Sequence, residues 1–188
     1  MNEIIKITNS LILNLHYEYY DKVIELVRNN GLWLEFGVCT GHTINYISSK
    51  TKNKIYGFDS FWGLPENWGS HHPKGTYSTN GQIPIVNSNV ELIVGLFQDV
   101  LDEFLITHLE PVAYLHMDAD IYSSTKYVLN KLKDRIHKGT VISFDEIHNY
   151  NEFEEHELKA WIEFSKENNI IGNWIYRTNF EQATCIIN

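Results

Sequence analysis

The sequence predicts an α/β protein: a mostly parallel, seven-stranded sheet with helices on both faces, closed by an antiparallel hairpin at the carboxyl end. Three observations predict it. Short apolar runs alternate with amphipathic segments along the chain, the pattern of strands joined by crossover helices. Near the start, one strand, one helix and a second strand follow in quick succession, a complete βαβ unit. At the far end, two β-like stretches stand together with no room for a helix between them, so one of their strands must run against the rest.

The elements follow in order. A first helix carries Tyr20, Val23, Ile24 and Val27 at helical spacing, with Gly31 as its stop. Leu32 to Val38 reads as the first buried strand, Thr43 to Ser49 as a helix and Lys54 to Asp59 as the second strand. Further strands are expected at Val90 to Phe97, Val112 to Met117 and Thr140 to Phe144. Helices near Asp99 to His108 and Ser124 to Ile136 separate them, the latter turning Val128, Leu132 and Ile136 to the core. After Tyr150 comes a helix with Leu158, Trp161 and Ile162 on one side, then the two tails, Ile170 to Tyr176 and Gln182 to Ile187. Trp33, Trp161 and Trp174 fall in these regular elements and are assigned to packing.

Composition bounds the reading. The 188 residues, 43% of them hydrophobic, suffice for one core burying roughly 70% of the unfolded surface and are too few for two ordinary domains. One domain over residues 1–188 is expected, with a helical segment at 1–30. The net charge of −9 and the scattering of 15 Lys and Arg without a basic run argue against nucleic acid or an anionic membrane as partner. A neutral or cationic small molecule suits the chain better. The opening residues lack a cationic stretch followed by an apolar one, and nowhere do about 18 apolar residues run together, so a cytoplasmic protein is expected. Cys39 and Cys185 have neither a disulfide nor a zinc spacing and read as small buried side chains. The stretch 61–89, rich in Gly, Pro, Asn and Ser, is too long for an ordinary connection and is a candidate lid or binding loop.

In an open α/β sheet the ligand sits outside the carboxyl ends of the strands. The first such end reads Glu35-Phe36-Gly37-Val38-Cys39-Thr40-Gly41-His42-Thr43, where two glycines let backbone approach a ligand and a helix offers its amino-terminal amides. Asp59 ends the second strand roughly 20 residues on, the place of an acid that accepts from ribose hydroxyls. The pair points to an adenosine-containing cofactor; the glycines as a mere turn and Asp59 as a helix cap is the other reading. A Gly-x-x-x-Gly spacing is not that of a dinucleotide loop, and Glu35 beside it would repel a pyrophosphate. A cofactor with a cationic sulfonium is favoured.

The second half is acidic. One strand ends in His116-Met117-Asp118-Ala119-Asp120 and another in Phe144-Asp145-Glu146-Ile147-His148. Adjacent strand ends would bring Asp118, Asp145 and Glu146 together, and clustered carboxylates call for a bridging hard cation such as magnesium or manganese. Alternatively these acids cap helices and meet solvent, since Ser123-Ser124-Thr125 is a good helix start. His116 reads as a hydrogen-bonded core histidine; His148, just past the carboxylates, is placed for chemistry, and His71 and His72 of the long loop could also reach an acceptor. Trp62, Trp68, Tyr77 and Tyr122 lie near the expected mouth, where flat rings stack on sugars or adenine.

Four motifs in this order carry a resemblance: Leu34-Glu35-Phe36-Gly37-Val38, the unusual Gly57-Phe58-Asp59-Ser60-Phe61-Trp62-Gly63-Leu64-Pro65, His116-Met117-Asp118-Ala119-Asp120 and Phe144-Asp145-Glu146. From about residue 31 to 165 the chain resembles the macrocin O-methyltransferase-like (TylF-type) family. The resemblance implies a Rossmann-like class I methyltransferase fold, S-adenosylmethionine as donor, and magnesium-dependent O-methylation of a sugar or glycan hydroxyl. Carried over by position, it implies that Glu35, Gly37 and Gly41 border the methionine part, Asp59 the ribose, and Ser60 with the Gly95 region the adenosine; Thr43 is a further expected cofactor contact. Asp118, Asp145 and Glu146 fall where the family holds its metal, with Asp118, or His148 as second choice, as the base. Glu146 departs from a position often Asp in relatives. The amino-terminal extension is short for the family, which leaves a homo-oligomer an open expectation. Two rivals remain: a metal-dependent glycosyltransferase using Asp118-Ala119-Asp120, and a non-catalytic adenosine-ligand module.

Overall fold

The computed structural model describes residues 2–13 and 16–188. In chain order the elements are α1 (Glu3–Thr8), β1 (Leu11–Ile12), α2 (His16–Leu26), β2 (Leu32–Phe36), α3 (His42–Ser49), β3 (Ile55–Asp59), β4 (Val90–Val94), α4 (Phe97–Thr107), β5 (Val112–Met117), α5 (Tyr122–Leu132), β6 (Val141–Phe144), α6 (Glu157–Asn168), β7 (Gly172–Arg177) and β8 (Ala183–Ile187). The strands form one sheet in the order β1-β7-β8-β6-β5-β2-β3-β4. All neighbours are parallel except β8, which runs antiparallel to both β6 and β7. This is an α/β, Rossmann-like fold with the expected closing hairpin.

The sheet has eight strands rather than seven. The extra one is β1, which pairs Leu11 with Tyr176 and Ile12 with Arg177 at the sheet edge; two residues are too few to show a period of two, so the amino-terminal segment read as helix only. Three boundaries also differ. The strand expected to reach Phe97 stops at Val94, because Gly95 takes φ 152 and donates its N–H to Asp59 O, and α4 starts at Phe97. Helix α2 ends at Leu26, well short of Gly31. On α6 the core face is Leu158, Trp161 and Phe164, while Ile162 is 38% exposed. Residues three apart share a helix face and adjacent ones do not.

Buried side chains fill both faces of the sheet. One face holds Phe36, Phe58, Leu115, Phe144 and Trp161, with the Phe36 and Phe58 rings stacked at 4.5 Å; the other holds Tyr19, Tyr20, Trp33, Ile44 and Tyr114. Each large apolar side chain so buried contributes about 1.5–3 kcal/mol. Trp33, Trp161 and Trp174 are buried, as their places in regular elements predict. Helix α1 is tied to this core through Glu3, whose Oε2 accepts from Nε1 of Trp174 at 2.8 Å and of Trp161 at 3.4 Å.

The stretch from Phe61 to Asn89 has no helix or strand, yet it is held by its own backbone. Leu64 N–H donates to Thr76 O, Gly75 N–H to Leu64 O, and Trp68 and His72 exchange a pair of bonds. Leu64 and Trp68 pack on Ile121 and Tyr150 in a small satellite core. The loop is thereby laid over the carboxyl ends of the strands. Among the described residues no helix is long and apolar enough to cross a membrane.

Candidate active site

The sheet order reverses between β2 and β5, so connections leave these neighbours in opposite directions and open a crevice at their carboxyl ends. Gly37 lies at its base with φ 94; a Cβ there would come within 1.7 Å of Asp118 O. Only glycine lets the two turns approach so closely. The cleft, about 280 Å³, is lined on one side by Gly37, Cys39, Asp59, Ser60 and Gly95, and on the other by Tyr77, Asp118, Asp120 and Glu146.

On the first side the Asp59 carboxylate is fixed by backbone. Oδ2 accepts from Val38 N–H at 2.8 Å and Cys39 N–H at 2.7 Å, and Oδ1 from Phe61 N–H at 2.7 Å. The residue therefore both caps the turn and faces the cleft, so the two readings of its role are compatible. Gly41, Thr43 and Glu35 fall outside the lining. Gly41 begins α3 and packs against Pro84 of the long loop.

Glu35 lies beneath the cleft, only 1% exposed. Its Oε2 is 3.1 Å from His116 Nδ1, and His116 Nε2 is 3.6 Å from Asp145 Oδ1. Tyr20 donates its hydroxyl to Asp145 Oδ1 at 2.8 Å, and Gln182 its amide to Oδ2 at 3.2 Å. Burial works against a charge on His116, but Tyr114 and then the carboxylates on both sides outweigh it and raise the imidazole well above its ordinary value. Burial likewise pushes Asp145 up, and hydrogen bonding and charge from His116 overcome it and hold the carboxyl well below the usual range. His116 is a hydrogen-bonded core histidine, as expected, and its charge is balanced from within the core.

Because Asp145 turns inward to this set, the acids that gather in the cleft are Asp118, Asp120 and Glu146, each offering an oxygen within 4.8 Å of the others. Asp120, at φ 59, is aimed there by the left-handed bend that follows β5, a conformation Asp tolerates better than most residues. Spacing along a strand end does not reveal that bend. Burial and then the negative charge of Asp145 raise all three; Asp120 reaches about 8. Glu146 Oε2 is buried without a hydrogen-bond partner. Three hard oxygen donors that repel one another, one with an unmet lone pair, fit a divalent cation.

Glu157 underlies this group and escaped the sequence reading. Wholly buried at the start of α6, it accepts from Ala119 N–H at 3.3 Å and Glu146 N–H at 3.2 Å, clamping the two acidic turns together. Burial, and then Asp120, push it to about 8. An acid in the first turn of an amphipathic helix is ordinary, so nothing in the sequence marked it. His148 lies away from the lining with Nε2 3.1 Å from Gln182 O, and burial lowers its pKa. Of the aromatic residues expected at the mouth, Tyr77 lines the cleft, Trp68 is in the satellite core, Trp62 is 66% exposed, and Tyr122 bonds Glu163 on the far side of α5.

Residues 34–147 match the family described as Methyltransferase domain. No curated protein sequence matches the chain. Among solved structures, CalS11, a calicheamicin methyltransferase, shares 20% identity over 90% of this chain and 77% of its own, with a TM-score of 0.72. The O-methyltransferase NovP shares 19% over 90% and 78%, with 0.70. An O-methyltransferase from Bacillus cereus in complex with SAH shares 14% over 90% and 79%, with 0.55. The structures agree in fold, and the family match spans the first glycine turn, Asp59 and the acidic strand ends: the chain belongs to the Methyltransferase domain family.

Proposed function

We propose that this chain is an S-adenosylmethionine-dependent O-methyltransferase of the TylF type, acting as one catalytic unit on a sugar or glycan hydroxyl with a divalent cation. The observation that carries the reading is the meeting of the Asp59-capped turn and the acid trio in one cleft, across the contact of Gly37 with Asp118. CalS11 is also described as a TDP-rhamnose 3'-O-methyltransferase, and this supports a sugar acceptor, as the SAH complex of the Bacillus cereus enzyme supports the donor.

In this reading Asp59, held by three N–H groups, accepts from the ribose hydroxyls, while Gly37, Ser60 and Gly95 border the adenosine. Asp118, Asp120 and Glu146 would hold magnesium or manganese, with Asp145 as the buried support behind them. The ion, when bound, would lower the pKa of the acceptor hydroxyl. Asp118 orients that hydroxyl and takes its proton; the acceptor oxygen bonds the methyl carbon as the S–CH3 bond breaks. The loop from Phe61 to Asn89 covers the site and excludes water.

Calorimetric titration with S-adenosylhomocysteine, S-adenosylmethionine, a nicotinamide dinucleotide and a nucleotide sugar, each with and without magnesium, tests this. Micromolar binding of the first two is expected. Binding of the nucleotide sugar alone, and only with metal, would favour the glycosyltransferase reading of Asp118-Ala119-Asp120.

A further inference from the structure

The acids of the cleft come from two chain segments. Asp118 and Asp120 follow β5, and Glu146 follows β6. The β5–β6 ladder closes with Met117 opposite Phe144 and with Asp145 N–H on Met117 O, short of all three acids. Past that point, among the described residues, the hydrogen bonds that join the two turns run through one side chain. Glu157, the first residue of α6, is wholly buried. Its Oε1 accepts from Ala119 N–H at 3.3 Å and from the Thr125 hydroxyl of α5 at 3.4 Å, and its Oε2 accepts from Glu146 N–H at 3.2 Å.

Glu157 is placed to support rather than to coordinate. Both of its oxygens are occupied by donors, and it stands outside the group whose oxygens lie within 4.8 Å of one another. Glu146 has the complementary arrangement: Glu157 holds its N–H, while its buried Oε2 has no hydrogen-bond partner. The carboxylate that spans the two turns is itself carried by a fixed element, since Leu158, Trp161 and Phe164 seat α6 in the core, Trp161 edge-on to Phe144 of β6.

We infer that Glu157 is the positioning residue of the cation site: by holding the Ala119 and Glu146 amides at one spacing, it sets the gap between the oxygens of Asp118 and Asp120 and that of Glu146, and so which divalent cation fits. The inference rests on the metal-assisted methyltransferase reading and deepens it. Magnesium demands near-octahedral oxygen ligands at about 2.0–2.1 Å, whereas calcium accepts about 2.3–2.6 Å in a flexible shell. A fixed gap therefore suits magnesium, and loosening it weakens magnesium more than calcium. Charge alone does not discriminate in this way. The two ions carry the same charge, so removing a carboxylate beneath the trio weakens both to a similar degree. In Glu157→Gln the side chain keeps its size, but an amide NH2 replaces one of the two oxygens and meets the N–H of Ala119 or of Glu146 donor to donor, which releases one turn.

The test is calorimetric titration of the whole protein with magnesium chloride and, separately, with calcium chloride, and the readout is the ratio of the calcium to the magnesium dissociation constant. Glu157→Gln should lower that ratio by about tenfold, while S-adenosylhomocysteine affinity stays within a few-fold. Thr125→Val removes the hydroxyl bond and leaves both amides on Glu157, so it should shift the ratio the same way by a smaller factor. A ratio that Glu157→Gln leaves unchanged, whether both affinities hold or fall together, would overturn the inference and leave the methyltransferase reading in place. Should Glu157→Gln lose S-adenosylhomocysteine binding as well, Thr125→Val decides, and an unchanged ratio there overturns the inference. Failure of the unsubstituted protein to bind either cation would overturn the metal-assisted reading, and the inference with it.

Discussion

The two sides of the cleft use the same side chain in opposite ways. Asp59 ends β3 with both oxygens occupied by three backbone N–H groups, so its charge is met from within the protein. Asp118 and Asp120 follow β5 and Glu146 follows β6, and their oxygens gather within 4.8 Å of one another, so their mutual repulsion is relieved by protons or by a cation rather than by backbone. Position at a strand end is common to both; what the neighbouring turn offers decides the chemistry. In the proposed reading, the carboxylate held by amides is the fixed acceptor for hydroxyls, and the group of carboxylates without amides is the seat for a cation.

The largest expected effect breaks both sides at once. Gly37→Ala drives a methyl group into Asp118 O and should cost more than about 3 kcal/mol of stability, together with donor binding and transfer; chemical denaturation and calorimetry would show it, and a variant with ordinary stability would mean that the turns are not packed as described. Asp118→Ala should separate the sides. Transfer falls on the order of a hundredfold or more while S-adenosylhomocysteine affinity stays within a few-fold, and loss of both together would sink the division into a donor side and a metal side. Asp59→Asn should do the reverse, since an amide group then faces backbone N–H donors: weaker donor binding by about tenfold, with magnesium binding intact.

The smallest effect is on pH dependence. With Asp120 raised to about 8 and an unfolded carboxylate near about 4, the folded chain holds more protons than the unfolded chain between those values. Stability must then fall as pH rises through this window, and the raised His116 acts in the same sense. Asp145, held low, acts in the opposite sense only below the ordinary carboxylate range. In the presence of a chelator the melting temperature should therefore be a few degrees lower at pH 8 than at pH 5, and Asp120→Asn should flatten the difference. A melting temperature that rises with pH would contradict the electrostatics of the trio.

Much of this architecture was legible because it rests on periodicity. Buried parallel strands and amphipathic helices declare themselves over whole segments, and the glycine turn and Asp59 follow from where β2 and β3 end. The rest depends on single dihedral angles and on direction. Asp118 and Asp145 stand at adjacent strand ends, but Tyr20 and Gln182 turn Asp145 inward and a left-handed bend turns Asp120 outward. Tyr20 lies 125 residues from Asp145 and Gln182 37 residues from it, beyond any local pattern. Glu157 was hidden for the same reason, since its partners are backbone amides of two other segments. Ile162 shows the limit on a smaller scale, where one residue of helical phase separates core from solvent.

The place of β8 in the sheet has a consequence for how the molecule is assembled. β8 is inserted between β6 and β7, so β7 has no partner toward the centre of the sheet until residues 183–187 are laid down. The amino-terminal segment depends on β7 in turn, through β1 and through the bonds of Glu3 to Trp161 and Trp174. Residues 3–12 therefore depend, through β7, on the pairing of residues 183–187. Contacts so far apart in sequence are slow to close, so a substitution that unseats β8 should release β7 and the amino-terminal segment together with it.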